Sequence, residues 1–371
     1  MIDNNIRILH IFSGVGGGIS AWIRKAAIHS KYYKYNIVND AMAFYIDNSS
    51  EFIDIVEKNG GACIQMPRIG EGIIKLILFI SDIIKNGNYS VVHCHIDGIQ
   101  ALPIWIAASV ISRKKTIIHS HRTAIEKIAG KKYEKLIYKL NRIINNLISD
   151  KKIACGLKAK EFAFGNSKDV RIFYNGINLV KDYSVDNKKV NTVIKIVALG
   201  RLSKVKNHIF MLDIAEELKH QNQQFHLYIV GDGELSSMIH DEIVKRKLEC
   251  EVSLEGYCDK PQKYLIDCNT LILPSFSEGL PTVMLEAQEY GCNVISSCRV
   301  TRECDLDLGF VSYLDIKKEN ISKWVKTIID NSNKKNLVTE DKINEAIKKK
   351  GFLNQDIYKN YYDYIKYLEK T

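Results

Sequence analysis

Apolar positions in this chain fall into short continuous runs rather than an alternating pattern. Arg7–Phe12 opens the series, followed by Ala62–Met66, Ser90–Cys94, Lys115–His119, Lys152–Cys155 and Val170–Tyr174. Such runs suit parallel strands buried on both faces. Helix-like segments of about 10–20 residues separate them, long enough to be crossovers. A polar patch at Asp182–Asn191 interrupts the pattern, which then restarts. Ile194–Leu199, His226–Val230, Val252–Glu255, Thr270–Leu273 and Asn293–Ser297 form the second series. The pattern predicts an α/β fold of two doubly wound, Rossmann-like domains facing across a cleft. Their expected bounds are 1–180 and 181–354, joined near 176–192. The aromatic-rich stretch Gln355–Glu369 has helical spacing. It predicts a closing helix, 355–371, packed back on the first domain. Ligands of such sheets lie beyond the carboxyl ends of the strands.

Composition narrows the class. A chain of 371 residues exceeds one typical core. With 46% hydrophobic residues and only five prolines, no long disordered arm is expected. The longest apolar stretch, Ile99–Ile111, falls short of the ~20 residues a membrane span needs. The N-terminal residues read as a strand rather than a secretory leader. Nine cysteines are scattered without a C-x-x-C pair, the pattern of reduced thiols in a cytoplasmic protein without a zinc site.

Four loops between strands and helices carry the candidate chemistry. Gly14-Val15-Gly16-Gly17-Gly18 follows the first strand and precedes a helix starting near Ile19. Glycines there let backbone N–H groups approach an anion, although a tight turn without a ligand reads the same way. Gly200 to Asn207 opens the second series and gathers Arg201, Lys204 and Lys206 at a helix start that Asn207 is expected to cap. Positive charge beside a helix N-terminus suits a diphosphate. Gly231-Asp232-Gly233-Glu234-Leu235 offers a turn that could meet a base or ribose, or serve as a plain turn. The richest loop runs Pro274-Ser275-Phe276-Ser277-Glu278-Gly279-Leu280-Pro281-Thr282-Val283-Met284-Leu285-Glu286-Ala287. Pro281 suits the first turn of a helix. The amides of Leu280, Thr282 and Val283 are expected to point at the loop mouth, where they could hold phosphate. Glu278 and Glu286 would repel a phosphate and suit sugar and ribose hydroxyls instead.

These residues resemble the family 4 retaining glycosyltransferases of GT-B fold, especially those of bacterial capsule and exopolysaccharide synthesis. The signature is Glu278-(seven residues)-Glu286 within Ser-x-x-Glu-Gly-Leu-Pro-x-x-x-x-Glu-Ala, reinforced by the 200–207 loop, Val230–Leu235 and Asn175-Gly176-Ile177. The resemblance implies that Arg201 and Lys206 bind the donor diphosphate, Glu278 meets the transferred sugar and Glu286 the ribose. It places Gly231, Gly233, Gly279, Leu280, Pro281 and Thr282 around the donor. Gly16, Gly17 and Gly18 would reach donor phosphates or acceptor. His121, in Ile117-Ile118-His119-Ser120-His121, matches the active-site histidine, with His119 second. The sequence departs from the family at Ile19 and Ser20, where a Glu is common, and at Asn178, where an Asp is. No Asp-x-Asp follows a strand to hold a divalent cation, so the expected reaction needs no metal and no cofactor. A GT-B sugar nucleotide epimerase and a non-catalytic partner subunit remain alternative readings.

Net charge is +10, and residues 113–161 hold fourteen Lys and Arg against four Asp and Glu. Nucleic acid, an anionic membrane and a solvated helix face each account for such an excess. Within Lys127–Lys152, the residues Ile128, Leu136, Ile137, Leu140, Ile143, Ile144, Leu147 and Ile148 recur at helical spacing, beside Lys131, Lys132, Lys135, Lys139, Arg142, Lys151 and Lys152. The expected partners are therefore a nucleotide-sugar donor, a saccharide or lipid-linked saccharide acceptor and an anionic membrane surface, with no nucleic acid. The expected location is the cytoplasmic face of the cell membrane.

Overall fold

A computed structural model describes residues 6–46, 50–123, 133–179, 193–258, 260–334 and 338–370. The chain divides into two compact units. Unit 1 comprises Met1–Gly176 and Asn354–Thr371, and unit 2 comprises Ile177–Leu353.

Unit 1 is built on β1 (Ile6–Phe12), β2 (Ile37–Ala43), β3 (Cys63–Gln65), β4 (Val91–Cys94), β5 (Lys115–Ser120), β6 (Lys151–Ala154) and β7 (Val170–Ile172). Their order is β3-β2-β1-β4-β5-β6-β7, and every pairing is parallel. Connecting helices are α1 (Gly18–Tyr32), α2 (Ser50–Lys58), α3 (Ile73–Asn86), α4 (Leu102–Trp105), α5 (Glu134–Ile148) and α6 (Leu157–Phe164). Unit 2 contains β8 (Ile194–Leu199), β9 (Phe225–Val230), β10 (Val252–Gly256), β11 (Thr270–Leu273), β12 (Asn293–Ser297) and β13 (Val311–Leu314). These strands pair in parallel, in the order β10-β9-β8-β11-β12-β13. Helices α7 (His208–His220), α8 (Ser236–Lys245), α9 (Gln262–Asp267), α10 (Thr282–Glu289), α11 (Ile321–Asn333) and α12 (Glu340–Lys349) belong to it. Both sheets are doubly wound, and each reverses its strand order beside its first strand, where such folds place ligands.

The last helix, α13 (Asn354–Lys370), packs in unit 1. Tyr358, Tyr361 and Tyr362 are fully buried in the core that also holds Trp22, Ile23 and Phe173. The Tyr358 hydroxyl donates to the Trp22 carbonyl at 3.0 Å, and that of Tyr362 to the Ala26 carbonyl at 2.6 Å. Burying such rings stabilises the unit only because each hydroxyl has found an acceptor.

Two strands have no counterpart among the apolar runs. The first is β2, which carries Asn39 and Asp40 fully inside. Asp40 is satisfied by Arg7 Nε at 2.7 Å, the Tyr89 hydroxyl at 2.6 Å and the Ala62 amide at 2.9 Å. The other is β13, a four-residue edge strand that is only half buried.

Helix α5 carries apolar residues on two faces rather than one. Leu136, Leu140, Ile143 and Leu147 form a stripe in which each is at least 47% exposed. The inward face is mixed: Ile148 is buried and Ile137 and Ile144 are half-buried, alongside Asn145 and Arg142. Asn145 Oδ1 accepts from the Gly98 amide at 2.6 Å, its Nδ2 donates to the Ala163 carbonyl at 3.0 Å, and Arg142 Nε donates to the Phe162 carbonyl at 2.9 Å. Arg142 is thus a tether between α5 and α6 rather than a free surface charge. Lys152 is paired with Asp169 at 2.6 Å. Ile128, Lys131 and Lys132 lie outside the described residues, as does the Lys135 side chain. Among the described residues, no helix is long and apolar enough to cross a membrane.

Candidate donor site and histidine ladder

In unit 2 the loops after β8, β9 and β11 are knitted together by backbone hydrogen bonds. The Gly200 amide donates to the Val230 carbonyl at 3.0 Å, Leu202 to Asp232 at 3.0 Å, and Leu235 back to Leu202 at 3.1 Å. Phe276 donates to Val205 at 2.8 Å, joining the third loop to the first. Gly231 has φ 140°, and a Cβ there would lie 2.0 Å from the Gly200 carbonyl oxygen. A Cβ on Gly233 would lie 2.5 Å from the Leu202 oxygen. Both glycines are therefore required by loop-on-loop packing, whatever they also do for a ligand.

Lys206 and Glu278 meet within this assembly. Lys206 Nζ lies 2.8 Å from Glu278 Oε1, with the two side chains only 18% and 15% exposed. The contact is an ion pair, and Glu278 Oε1 has no hydrogen-bond partner among the described residues. Arg201 reaches outward instead. It contacts Glu234 at 3.2 Å, with 73% of its side chain exposed, and such a pair is weak and easily exchanged. Glu286 is half-buried in the second turn of α10.

Three local expectations are corrected here. Asn207 does not cap α7. It sits in the left-handed region (φ 58°, ψ 49°), makes no capping bond and donates instead to the Pro274 carbonyl at 3.2 Å, clamping two loops. Pro281 occupies the N-cap position of α10 rather than its first turn. The Thr282 amide is spent on the Leu280 carbonyl at 3.0 Å. Of the three expected phosphate donors in that loop, this leaves the amides of Leu280 and Val283 without a backbone partner among the described residues.

In unit 1 the glycine loop runs into α1, whose N-cap is Gly17 at φ 80°. Gly16, Gly17 and Gly18 are exposed. Ser20 closes the turn, accepting from the Gly16 amide at 3.0 Å and donating to the Gly17 carbonyl at 3.1 Å. The Gly16 amide is thereby satisfied internally, so of the three expected glycine donors only Gly17 and Gly18 have no backbone acceptor among the described residues.

Beside this loop, β1, β4 and β5 place five histidine rings in contact. His10, His93, His95 and His119 are buried, while His121, just past β5, keeps part of its side chain at the surface. One row runs Asn39–His10–His95–His121, with heavy-atom separations of 3.0, 3.1 and 2.9 Å. A second runs Tyr361–His93–His119, at 2.7 and 3.2 Å. Trp22 packs by its ring against His10, His93, His95 and His119. Burial pushes His10 down to about 4, and His93, His95 and His119 well below the ordinary histidine value. It lowers His121 as well. Low-dielectric surroundings disfavour the imidazolium, so the rings are neutral near pH 7. His119 Nε2 and His121 Nδ1 are buried atoms with no hydrogen-bond partner among the described residues.

Two triplets, His10–His93–His95 and His95–His119–His121, bring one nitrogen each within 4.8 Å, close enough to share a metal ion. Most of those nitrogens already bind one ring to the next. Next to His121, Asp97 is buried and accepts from the Ser120 hydroxyl at 2.9 Å and from Arg122. His119-Ser120-His121 has a twin, His93-Cys94-His95, at the end of the neighbouring strand. That repetition on two adjacent strands was the signal for the ladder.

Residues 180–306 match the protein family described as Glycosyl transferases group 1. EpsF of Bacillus subtilis (strain 168), itself named as a candidate glycosyltransferase, is 30% identical over 345 residues, covering 88% of either chain. An Escherichia coli UDP-Gal:alpha-D-GlcNAc-diphosphoundecaprenol alpha-1,3-galactosyltransferase is 24% identical over 73% of this chain and 71% of its own. Among solved structures, Anabaena HepE in complex with UDP and glucose superposes with a TM-score of 0.73 at 16% identity, over 98% of this chain and all of that one. The last likeness concerns fold alone, which is that of the GT-B glycosyltransferases. On the family match and the near full-length kinship with EpsF, the chain belongs to the group 1 glycosyltransferases and is itself a glycosyltransferase.

Proposed function

We propose that this enzyme transfers a sugar, with retention of configuration, from a UDP-sugar to a lipid-linked saccharide during synthesis of capsule or another cell-surface polysaccharide. The observation that carries this reading is the Lys206–Glu278 pair, set in three interlocked loops at the carboxyl ends of β8, β9 and β11. Lys206 is a cation held ready for a diphosphate. Glu278 is a carboxylate suited to sugar hydroxyls, and it neutralises Lys206 while no donor is bound. Arg201, exposed and loosely held, would swing onto the diphosphate. Glu286 would accept from the ribose hydroxyls. As the anomeric bond breaks, negative charge grows on the leaving diphosphate, and Lys206, Arg201 and the remaining loop amides stabilise it without a divalent metal. The leaving phosphate then takes the proton of the attacking hydroxyl. Of the two candidate histidines we favour His121, because its side chain is partly exposed while His119 is fully buried. Support for the lipid-linked acceptor is twofold. The E. coli relative's name specifies a diphosphoundecaprenol acceptor, and α5 exposes an apolar stripe within a sequence segment rich in cations. The enzyme would then work at the inner face of the cell membrane.

A thermal-shift screen of nucleotide sugars tests the donor. A ligand at about 100 times its dissociation constant stabilises the native state by roughly 2.7 kcal/mol. The stabilising donor should then support transfer by EDTA-treated enzyme to an undecaprenol-linked saccharide. Donor binding with neither transfer nor hydrolysis would instead support a non-catalytic subunit. Interconversion of the donor sugar without an acceptor would support an epimerase.

A further inference from the structure

The first histidine row has a direction, and Asn39 sets it. Its amide nitrogen lies 3.1 Å from both the Ser30 and the Tyr362 hydroxyls. Each of those hydroxyls spends its only hydrogen on a helix carbonyl, Ser30 on Ala27 at 3.0 Å and Tyr362 on Ala26 at 2.6 Å. Toward Asn39 they can only accept. The side-chain amide, ordinarily ambiguous between two flips, is therefore fixed with its NH2 on the hydroxyls and its oxygen on His10.

That oxygen has no hydrogen, so His10 Nε2 carries one. A neutral imidazole has a single N–H, so His10 Nδ1 is a lone pair. His95 Nε2 must donate to it, which leaves His95 Nδ1 bare. His121 Nε2 must donate in turn. The assignment ends at His121 Nδ1, a buried nitrogen without a partner among the described residues. The second row shows what the anchor contributes. It ends on the Tyr361 hydroxyl, which can donate or accept, so its protons can run either way.

We propose that Asn39 is a positioning residue that locks His121, through His10 and His95, into the tautomer with Nε2 protonated and Nδ1 bare. His121 then offers an acceptor only. Nδ1 is covered in this structure; a ligand that uncovers it must bring an O–H or N–H donor, because a phosphate oxygen offers no hydrogen to a bare nitrogen. This consequence rests on the reading that His121 meets the ligand, whereas the relay itself does not.

The test is long-range 1H–15N correlation of 15N-histidine-labelled full-length enzyme, with His121 identified by its loss in His121→Gln. A pyrrole-type Nε2 and a pyridine-type Nδ1 are expected. The reverse assignment, or two pyrrole-type nitrogens, overturns the relay. In Asn39→Leu the His121 shifts should move to the averaged values of mixed tautomers, and turnover should fall about tenfold with donor KM little changed. Unchanged His121 shifts in a folded Asn39→Leu variant overturn the role of Asn39. If that variant does not fold, the wild-type spectrum alone decides the tautomer. The expected shifts together with turnover indifferent to both Asn39→Leu and His121→Gln support the relay and remove His121 from the chemistry.

Discussion

A half-buried lysine facing a half-buried glutamate is a poised arrangement, because each keeps the other from being an unpaired charge. At Lys206 and Glu278 it sets the sign of two substitutions. Lys206→Ala removes the cation and should weaken UDP binding by about 1.5–3 kcal/mol. Glu278→Gln removes the competing anion, so UDP should bind more tightly while sugar transfer falls sharply. Calorimetry with UDP checks both, and weaker UDP binding by the Gln variant would detach Glu278 from Lys206. Gly231→Ala belongs to the same scale. Its Cβ would meet the Gly200 carbonyl at 2.0 Å, so it should cost more than about 2 kcal/mol by chemical denaturation, even without a ligand. The two-glutamate loop was readable in the sequence because its residues lie in one segment with a fixed spacing. Asn207 was misread because local propensity favours a cap, while a carbonyl 67 residues away claims the side chain. Asn39 gave no local sign, since its partners come from α1, β1 and the far end of the chain.

Elements followed the apolar runs wherever burial was the deciding force. Eleven of the thirteen strands among the described residues carry such a run. β2 was lost because Asn39 and Asp40 interrupt its apolar pattern, and the partners that justify their burial are distant in sequence. β13 was lost because an edge strand needs less apolar surface. Helix α5 shows the limit of periodicity. The spacing of its leucines and isoleucines announced a helix but could not say which face turns inward. The inward face combines polar bonds to Gly98, Phe162 and Ala163 with Ile137, Ile144 and Ile148. Replacing Leu136, Leu140, Ile143 and Leu147 together with Gln should therefore shift stability only slightly, within about 0.5 kcal/mol per site. A core-facing stripe would lose about 2–5 kcal/mol per site. The same variant should lose co-sedimentation with anionic liposomes, and retained sedimentation would sink the membrane assignment for this stripe.

For the whole molecule, the ladder makes stability depend on pH. The five rings are neutral when folded and titrate near 6.5 when unfolded. Below that value the unfolded chain binds more protons, so stability falls with pH until the folded rings protonate in turn. His10, lowered to about 4, accounts alone for a loss on the order of 3 kcal/mol. Melting followed from pH 7.5 to pH 4.5 should show a steep fall below 6.5, and a flat profile would contradict buried neutral rings. The two-sheet plan was legible because buried parallel strands write themselves as apolar runs. The seat of α13 has a further consequence, for the order of events on the ribosome. Synthesis delivers residues 1–176 first but withholds Tyr358, Tyr361 and Tyr362 until all of unit 2 has been made. Through that interval the nascent first unit has a gap around Trp22, and Asn39 lacks one of its two hydroxyl anchors. Unit 2 is continuous in sequence and is free to finish earlier. A chain released just before Asn354 would thus emerge with its second sheet complete and its first still waiting for the last-made helix.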